Sequence, residues 1–311
     1  MNFCIIGLGN HARTKIFPNI LSDYKNIYSV TRNNKKTIKN IKNFKKISLA
    51  FNYLGQNCIY IISTPPNYHY YPLKYLLKKN VKNIYVEKPI LINFNQISNV
   101  INLKKNNQRI IENYPYKKSI MFQKMIKYFF LKQNKIKKIT IKFVIPSLPI
   151  NTFRKKSGVS NSSLYDIGCY PIDLLCTLGL INKKHFIKKI LYSESQKKFF
   201  FSFNIQHMHF SISVGLGKSY LNYIKFNEDK KKIKFNKIFY ARKAIKTISH
   251  YNHMNRIIKK ILIKDRNTFM NYFINHKKYS NKHNLKELDN SYMTIKFLNL
   301  LTKKNILNTS L

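Results

Sequence analysis

The chain has 311 residues, 44% of them hydrophobic, with 22 Phe and 22 Tyr; that length favours two domains, and so much apolar side chain excludes a wholly disordered protein. The formal charge of +47 comes from 58 Lys and Arg against 11 Asp and Glu. The excess is spread along the whole sequence beside abundant Asn and Ile, the bias AT-rich codons impose, so it favours anionic ligands without identifying a nucleic-acid or membrane partner.

The first third alternates β-rich runs with amphipathic stretches, which predicts a parallel sheet covered by helices. Strands are predicted at Phe3 to Ile6, Ile27 to Thr31, Cys58 to Ser63, Asn83 to Val86 and Arg109 to Glu112. Between them, Tyr70 to Lys79 sets Leu73, Leu76 and Leu77 on one helical side, and Asn93 to Lys105 has the same spacing. A helix over Ile120 to Lys132 leads into a strand at Lys138 to Ile145 that Pro146 ends. From Phe186 to Phe235 the chain reads as successive strands with tight turns, which predicts an antiparallel sheet. From Tyr251 to Lys303 it reads as helical again, because RIIKKIL, FMNYFI and YMTIKFLNLL each put apolar residues on one face. The fold class expected is α/β: an N-terminal Rossmann doubly wound parallel sheet over residues 1–117, plus a C-terminal α+β domain with a mainly antiparallel sheet over 118–311. Pro115 marks the boundary.

The turn Gly7-Leu8-Gly9-Asn10-His11-Ala12 follows the first strand directly and opens a helix near Arg13. Such a turn lets main-chain N–H groups and a helix N-terminus approach a pyrophosphate, so these residues are candidate dinucleotide contacts. At the end of the second strand an acid would bond the ribose hydroxyls of NAD. This chain has Thr31 and Arg32 there, which suit a 2′-phosphate, so NADP is favoured, with NAD as the alternative.

Two proline-marked loops follow, one helix apart: Ser63-Thr64-Pro65-Pro66-Asn67 with His69, then Glu87-Lys88-Pro89. Together with Tyr165-Asp166-Ile167-Gly168-Cys169-Tyr170 in the second half, they resemble the glucose-fructose oxidoreductase and inositol dehydrogenase family, Gfo/Idh/MocA. The resemblance covers nearly the whole chain. Tyrosine at position 170, and Ile145-Pro146 before Phe153-Arg154, are closest to the branch containing nucleotide-sugar 3-ketoreductases. The resemblance implies that Ser63, Thr64, Pro65, His69, Glu87 and Lys88 line the cofactor. It further implies that Lys88 lies beside the reacting oxygen, that Tyr170 gives it a proton and that Asp166 helps to orient the site. Ser160-Asn161-Ser162-Ser163 stands where that branch carries glycines, which leaves the loop geometry open.

The function implied is reduction of a ketone on a nucleotide-linked sugar by an NAD(P)-dependent oxidoreductase. Open alternatives are a sugar or cyclitol dehydrogenase working oxidatively, a non-catalytic dinucleotide-binding relative, and a nucleic-acid-binding protein, which would need a localised basic face. A small-molecule sugar substrate and a homo-oligomer, dimer or tetramer, are expected partners; nucleic acid and membrane are not. Cys4, Cys58, Cys169 and Cys176 form no C-x-x-C pair, so buried thiols are expected and no metal. His207, His209, His250 and His253 are assigned to surface or packing roles, and Gly217-Lys218-Ser219 to a hairpin turn. With no apolar run of about 18 residues and no leader before the first strand, a cytoplasmic location is expected.

Overall fold

Short runs of Ile, Val, Tyr and Phe become parallel strands where both of their faces can be covered. The computed structural model describes residues 2–21, 26–32, 38, 41–146, 163–183, 190–195, 198–268 and 281–308. Its first sheet contains β1 (Phe3–Ile6), β2 (Ile27–Val30), β3 (Asn43–Phe44), β4 (Ile59–Ile62), β5 (Asn83–Glu87) and β6 (Arg109–Asn113). They lie in the order β3-β2-β1-β4-β5-β6, every pair parallel, the strand order of a Rossmann fold. Successive residues serve opposite faces. Phe3 and Ile5 pack with Ile27, Ile59, Ile61 and Ile111, while Cys4 and Ile6 pack with Tyr60, Ile62, Ile84 and Val86.

The helical stretch that begins at Asn10 contains π-type turns over Ala12–Ile16 and then α1 (Phe17–Leu21), and it covers the first face with Ala12, Ile16 and Ile20. The second face is covered by α2 (Ile47–Leu54) through Ala50, α3 (Tyr70–Lys78) through Leu73, Leu76 and Leu77, and α4 (Phe94–Leu103) through Ile97 and Val100. The Asn93 side chain caps α4, accepting the N–H of Asn95 at 2.8 Å.

The chain divides into two compact units, 1–114 with 272–295 and 115–271 with 296–311. The division expected from sequence placed everything after residue 117 in the second domain. The helix α7 (Asn281–Asn308) instead gives its first half to the first unit. There Asn284 offers its amide to the outer edge of β6, accepting from Ile110 N at 3.2 Å and donating to Ile110 O. Leu288 joins the core beneath, and the ring of Tyr292 lies against that of Phe94.

The second unit contains α5 (Ile120–Lys132), β7 (Lys138–Pro146), α6 (Ser163–Thr177), β8 (Leu191–Ser195), β9 (Lys198–Ile205), β10 (Met208–Gly217), β11 (Leu221–Asn227), β12 (Lys232–Asn236), β13 (Ala244–Tyr251) and β14 (Ile257–Asp265). Its eight strands lie in the order β14-β13-β12-β11-β7-β10-β9-β8 and are antiparallel except for β7 with β10. Ile139, Ile141, Ile212, Phe226 and Phe235 are buried on one face. Asp265 secures the start of α5 by accepting from Ile120 N at 3.0 Å and Met121 N at 3.2 Å, and it pairs with the fully buried Lys246 at 3.0 Å.

Two expectations need correction. RIIKKIL lies in β14, not a helix: Ile257, Ile258 and Leu262, expected on a buried helical face, are 57%, 61% and 61% exposed on an edge strand paired with β13. Gly217-Lys218-Ser219 is no hairpin, because β7 lies between β10 and β11. Pro171 stands inside α6, which places Tyr170 within the helix rather than at its start. FMNYFI, Phe153-Arg154 and Ser160 to Ser162 lie outside the described residues. All four cysteines are buried. Among the described residues no helix is long and apolar enough to cross a membrane.

Candidate active site

In a parallel sheet of this order the chain leaves β1 and β4 toward opposite faces, and a crevice opens beyond their carboxyl ends. Gly7 and Ser63-Thr64 occupy those ends. Gly7 has φ of +91° and its N–H bonds to Val30 O at 3.0 Å, while Ser63 N bonds to Ile6 O at 2.8 Å. A Cβ on Gly7 would come within 2.8 Å of Thr64 Cγ2 and 2.9 Å of Thr64 N, so only glycine lets the two turns approach. At Gly9 a Cβ would meet nothing within 4 Å. Asn10 and His11 are exposed, whereas Ala12 is buried under the turn. Thr31 and the exposed Arg32 follow β2, with Thr31 N held by Phe44 O at 3.1 Å.

These residues fit a phosphorylated dinucleotide. Ser63 Oγ and Thr64 Oγ1 are buried at the strand end without a hydrogen-bond partner among the described residues, and buried hydroxyls are normally satisfied. The turn at Gly9 is open to a ligand, and Arg32 supplies a cation where an acid would repel a 2′-phosphate.

The two proline loops are joined by His69, which is fully buried. Its Nε2 lies 2.7 Å from Thr64 O, and its Nδ1 lies 3.1 Å from Pro89 O and 3.0 Å from Ile90 O. His69 was expected among the cofactor contacts; its ring is instead occupied with main-chain carbonyls and links the loops. Burial holds the imidazole below its usual pKa, although those carbonyls and Glu87 pull it the other way. Pro65 is exposed beside Thr64.

Glu87 ends β5 and lies 3.2 Å from His11 Nε2, so the glycine turn and the Glu-Lys-Pro loop are bridged. Burial alone would raise the Glu87 carboxyl, but pairing with His11, a hydrogen bond from Asn113 and the charge of Lys88 leave it below the usual range. Lys88 is half-buried, and the Lys88–Pro89 peptide is cis.

In the second unit, Asp166 is buried in the first turn of α6 and Tyr170 is half-buried one turn on. The Tyr170 ring lies among those of Phe143, Tyr116 and Phe239, with centroids 5.1, 5.6 and 5.7 Å away. Beneath them, Asp173 accepts from Tyr116 OH at 2.8 Å and from Lys117 Nζ at 2.8 Å. Burial, then the negative charge of Asp173, raises the Tyr116 phenol well above its ordinary pKa, so it remains a donor.

Sequence reasoning missed this Tyr116–Asp173–Lys117 network, although Asp173 stands seven residues after Asp166 on the same helical side. It also missed Glu112 and Asn113, whose only local signal is a polar pair closing an apolar strand.

Residues 1–114 match the family described as Oxidoreductase family, NAD-binding Rossmann fold, Gfo/Idh/MocA. No curated protein matches the chain significantly. Among solved structures, KijD10, a 3-ketoreductase from Actinomadura kijaniata in complex with NADP and TDP-benzene, has a TM-score of 0.81 at 12% identity, covering 97% of each chain. UDP-N-acetylglucosamine 3-dehydrogenase GnnA from Acidithiobacillus ferrooxidans gives 0.69 at 11%, covering 95% of this chain and 96% of that one. A dehydrogenase from Chromobacterium violaceum gives 0.73 at 12%, covering 100% and 98%. Likeness at such low identity speaks for the fold alone. The sequence match speaks for more over its own span: residues 1–114 match the NAD-binding Rossmann domain of the Gfo/Idh/MocA oxidoreductase family.

Proposed function

We propose that this oxidoreductase reduces a ketone on a nucleotide-linked hexose, using NADPH. The observation that supports the reading best is the strand-end arrangement at the switch point. There Gly7 fits against Thr64 and two buried hydroxyls have no partner among the described residues, in a chain whose fold is similar to a 3-ketoreductase from end to end.

In this reading Gly7, Gly9, Asn10, His11 and Ala12 cradle the pyrophosphate, and Thr31 and Arg32 take the 2′-phosphate. Ser63, Thr64 and Pro65 line the dinucleotide, while Glu87 and His69 hold the loops that carry them. When bound, the dinucleotide supplies the hydride that turns the ketone carbon into a carbinol. Lys88 stabilises the negative charge developing on the ketone oxygen. Tyr170 transfers its phenolic proton to that oxygen, Asp166 orients it, and solvent reprotonates the phenolate. The protein acts in the cytoplasm as a homo-oligomer, a dimer or a tetramer.

The test is turnover of NADPH with a panel of UDP- and TDP-linked keto-hexoses, for the native chain and for Lys88→Met. The variant is expected to lose about two to four powers of ten in kcat and to keep its NADPH affinity; unchanged turnover refutes the assignment. The likeness to a 3-dehydrogenase favours a second reading, oxidation of a nucleotide-linked sugar. The same panel of alcohols with NADP+ and NAD+ separates the two.

A further inference from the structure

We infer that Glu112 and Ser291 are positioning residues for Lys88, acting through the main chain of its loop; the inference rests on the reading of Lys88 given above. The register of β5 with β6 ends at the pair Glu87 and Asn113, so past Glu87 no ladder guides the chain. What guides it is a set of side chains around Lys88. Glu87, one residue before, receives the Asn113 amide. Ile90, two residues after, donates its N–H to Glu112 Oε1 at 2.8 Å. Glu112 and Asn113 are consecutive on a strand, so they leave it on opposite sides and hold the loop from both.

The other oxygen of Glu112 receives the Ser291 hydroxyl, from α7. Glu112 is only 7% exposed, and a carboxylate at that depth is costly unless its hydrogen bonds are made. A residue needed only to fill space would be apolar here. The N–H of Ile90 requires an acceptor, and α7 supplies the donor that keeps the acceptor in place.

The serine also offers a way to separate positioning from folding. Ser291 has a second acceptor, Glu287 O, at 3.0 Å. In Glu112→Gln the amide oxygen still accepts from Ile90 and the new NH2 donates to Ser291, whose proton turns to Glu287. In Glu112→Ala both bonds vanish.

Glu112→Ala, Glu112→Gln and Ser291→Ala, with Lys88→Met as reference, are compared in three measurements. These are hydrogen exchange of the Ile90 amide without dinucleotide, NADPH affinity by fluorescence, and turnover of the UDP- or TDP-linked ketose on which the native chain is active. Glu112→Ala is expected to speed exchange at Ile90 and to lower kcat about ten- to a hundred-fold with NADPH affinity kept, the penalty of a catalytic group displaced by about 1 Å. Glu112→Gln restores both to near native values, and Ser291→Ala falls between. If Glu112→Ala does not fold, the other two variants decide. Native kcat and native exchange in Ser291→Ala, or a Glu112→Gln as impaired as Lys88→Met, overturn the inference while Lys88 keeps its role. A fully active Lys88→Met overturns the reading of Lys88 itself, and this one with it.

Discussion

Replacing Gly7 with alanine puts a methyl group 2.8 Å from Thr64 Cγ2 and 2.9 Å from Thr64 N on a backbone with φ of +91°. The left-handed conformation costs an L-residue about 1–2 kcal/mol, and an extra carbon forced into a filled contact costs about 1–3 kcal/mol more. Because one of the opposing atoms is main chain, the strain is relieved only by moving the end of β4, where Ser63 and Thr64 stand. The total of about 2–5 kcal/mol corresponds to a melting temperature lowered by about 3–8 °C at this chain length. Gly9→Ala is the control. Its Cβ meets no protein atom within 4 Å, so its melting temperature stays within about 2 °C of native, yet the methyl occupies the approach to the turn. Scanning calorimetry and NADPH titration of both variants are expected to separate them: Gly7→Ala loses stability and affinity, Gly9→Ala affinity alone. A Gly7→Ala protein that melts with the native chain, or a Gly9→Ala protein with native affinity, refutes the reasoning about this turn.

Arg32→Asp is expected to lower the preference for NADPH over NADH at least about tenfold, since a cation facing a 2′-phosphate becomes an anion; equal preference in native and variant chains would remove Arg32 from the cofactor site. Burial holds the His69 ring below the 6.5 of a free imidazole, so below that pH the unfolded chain takes up a proton that the folded chain refuses. Stability is therefore present above about pH 6.5 and falls as the pH drops, by at most about 1.4 kcal/mol per unit. Glu87, whose folded carboxyl lies below the 4.5 of a free side chain, loses its contribution only below that value, so from about pH 5 to 7 the slope belongs to histidines: to buried His69 and, with the same sign, to the partly exposed His250, which burial and the Lys259 charge also lower. Urea midpoints across the window are expected to slope in the native chain and to flatten in His69→Asn; equal slopes would contradict the account.

Legibility from sequence followed the range of the signals. The first sheet could be read almost strand by strand because parallel strands buried on both faces produce short unbroken apolar runs such as Ile59–Ile62, each next to its own turn residues. The two-residue strand Asn43–Phe44 is too short to carry a pattern. IIKKILI fits a helical face and a strand equally well, and pairing with β13 decides it. The parallel neighbours β7 and β10 are separated by α6 and two strands, so nothing local announces them. At the site, the glycine turn and the two proline loops are local motifs and were legible. The Glu112–Ser291 bond joins residues 179 positions apart, and a single sequence holds no trace of such a pair. For His69, only the folded chain shows that its nitrogens face carbonyls.

The amide of Asn284 on Ile110, 174 positions away, makes the order of synthesis matter. The six parallel strands leave the ribosome long before the residue that closes their last one. During that interval the rim at β6 presents free N–H and C=O groups to any passing strand. Closure of that rim at Ile110 is therefore coupled to the synthesis of α7, the helix that carries Asn284, rather than to that of the six strands alone.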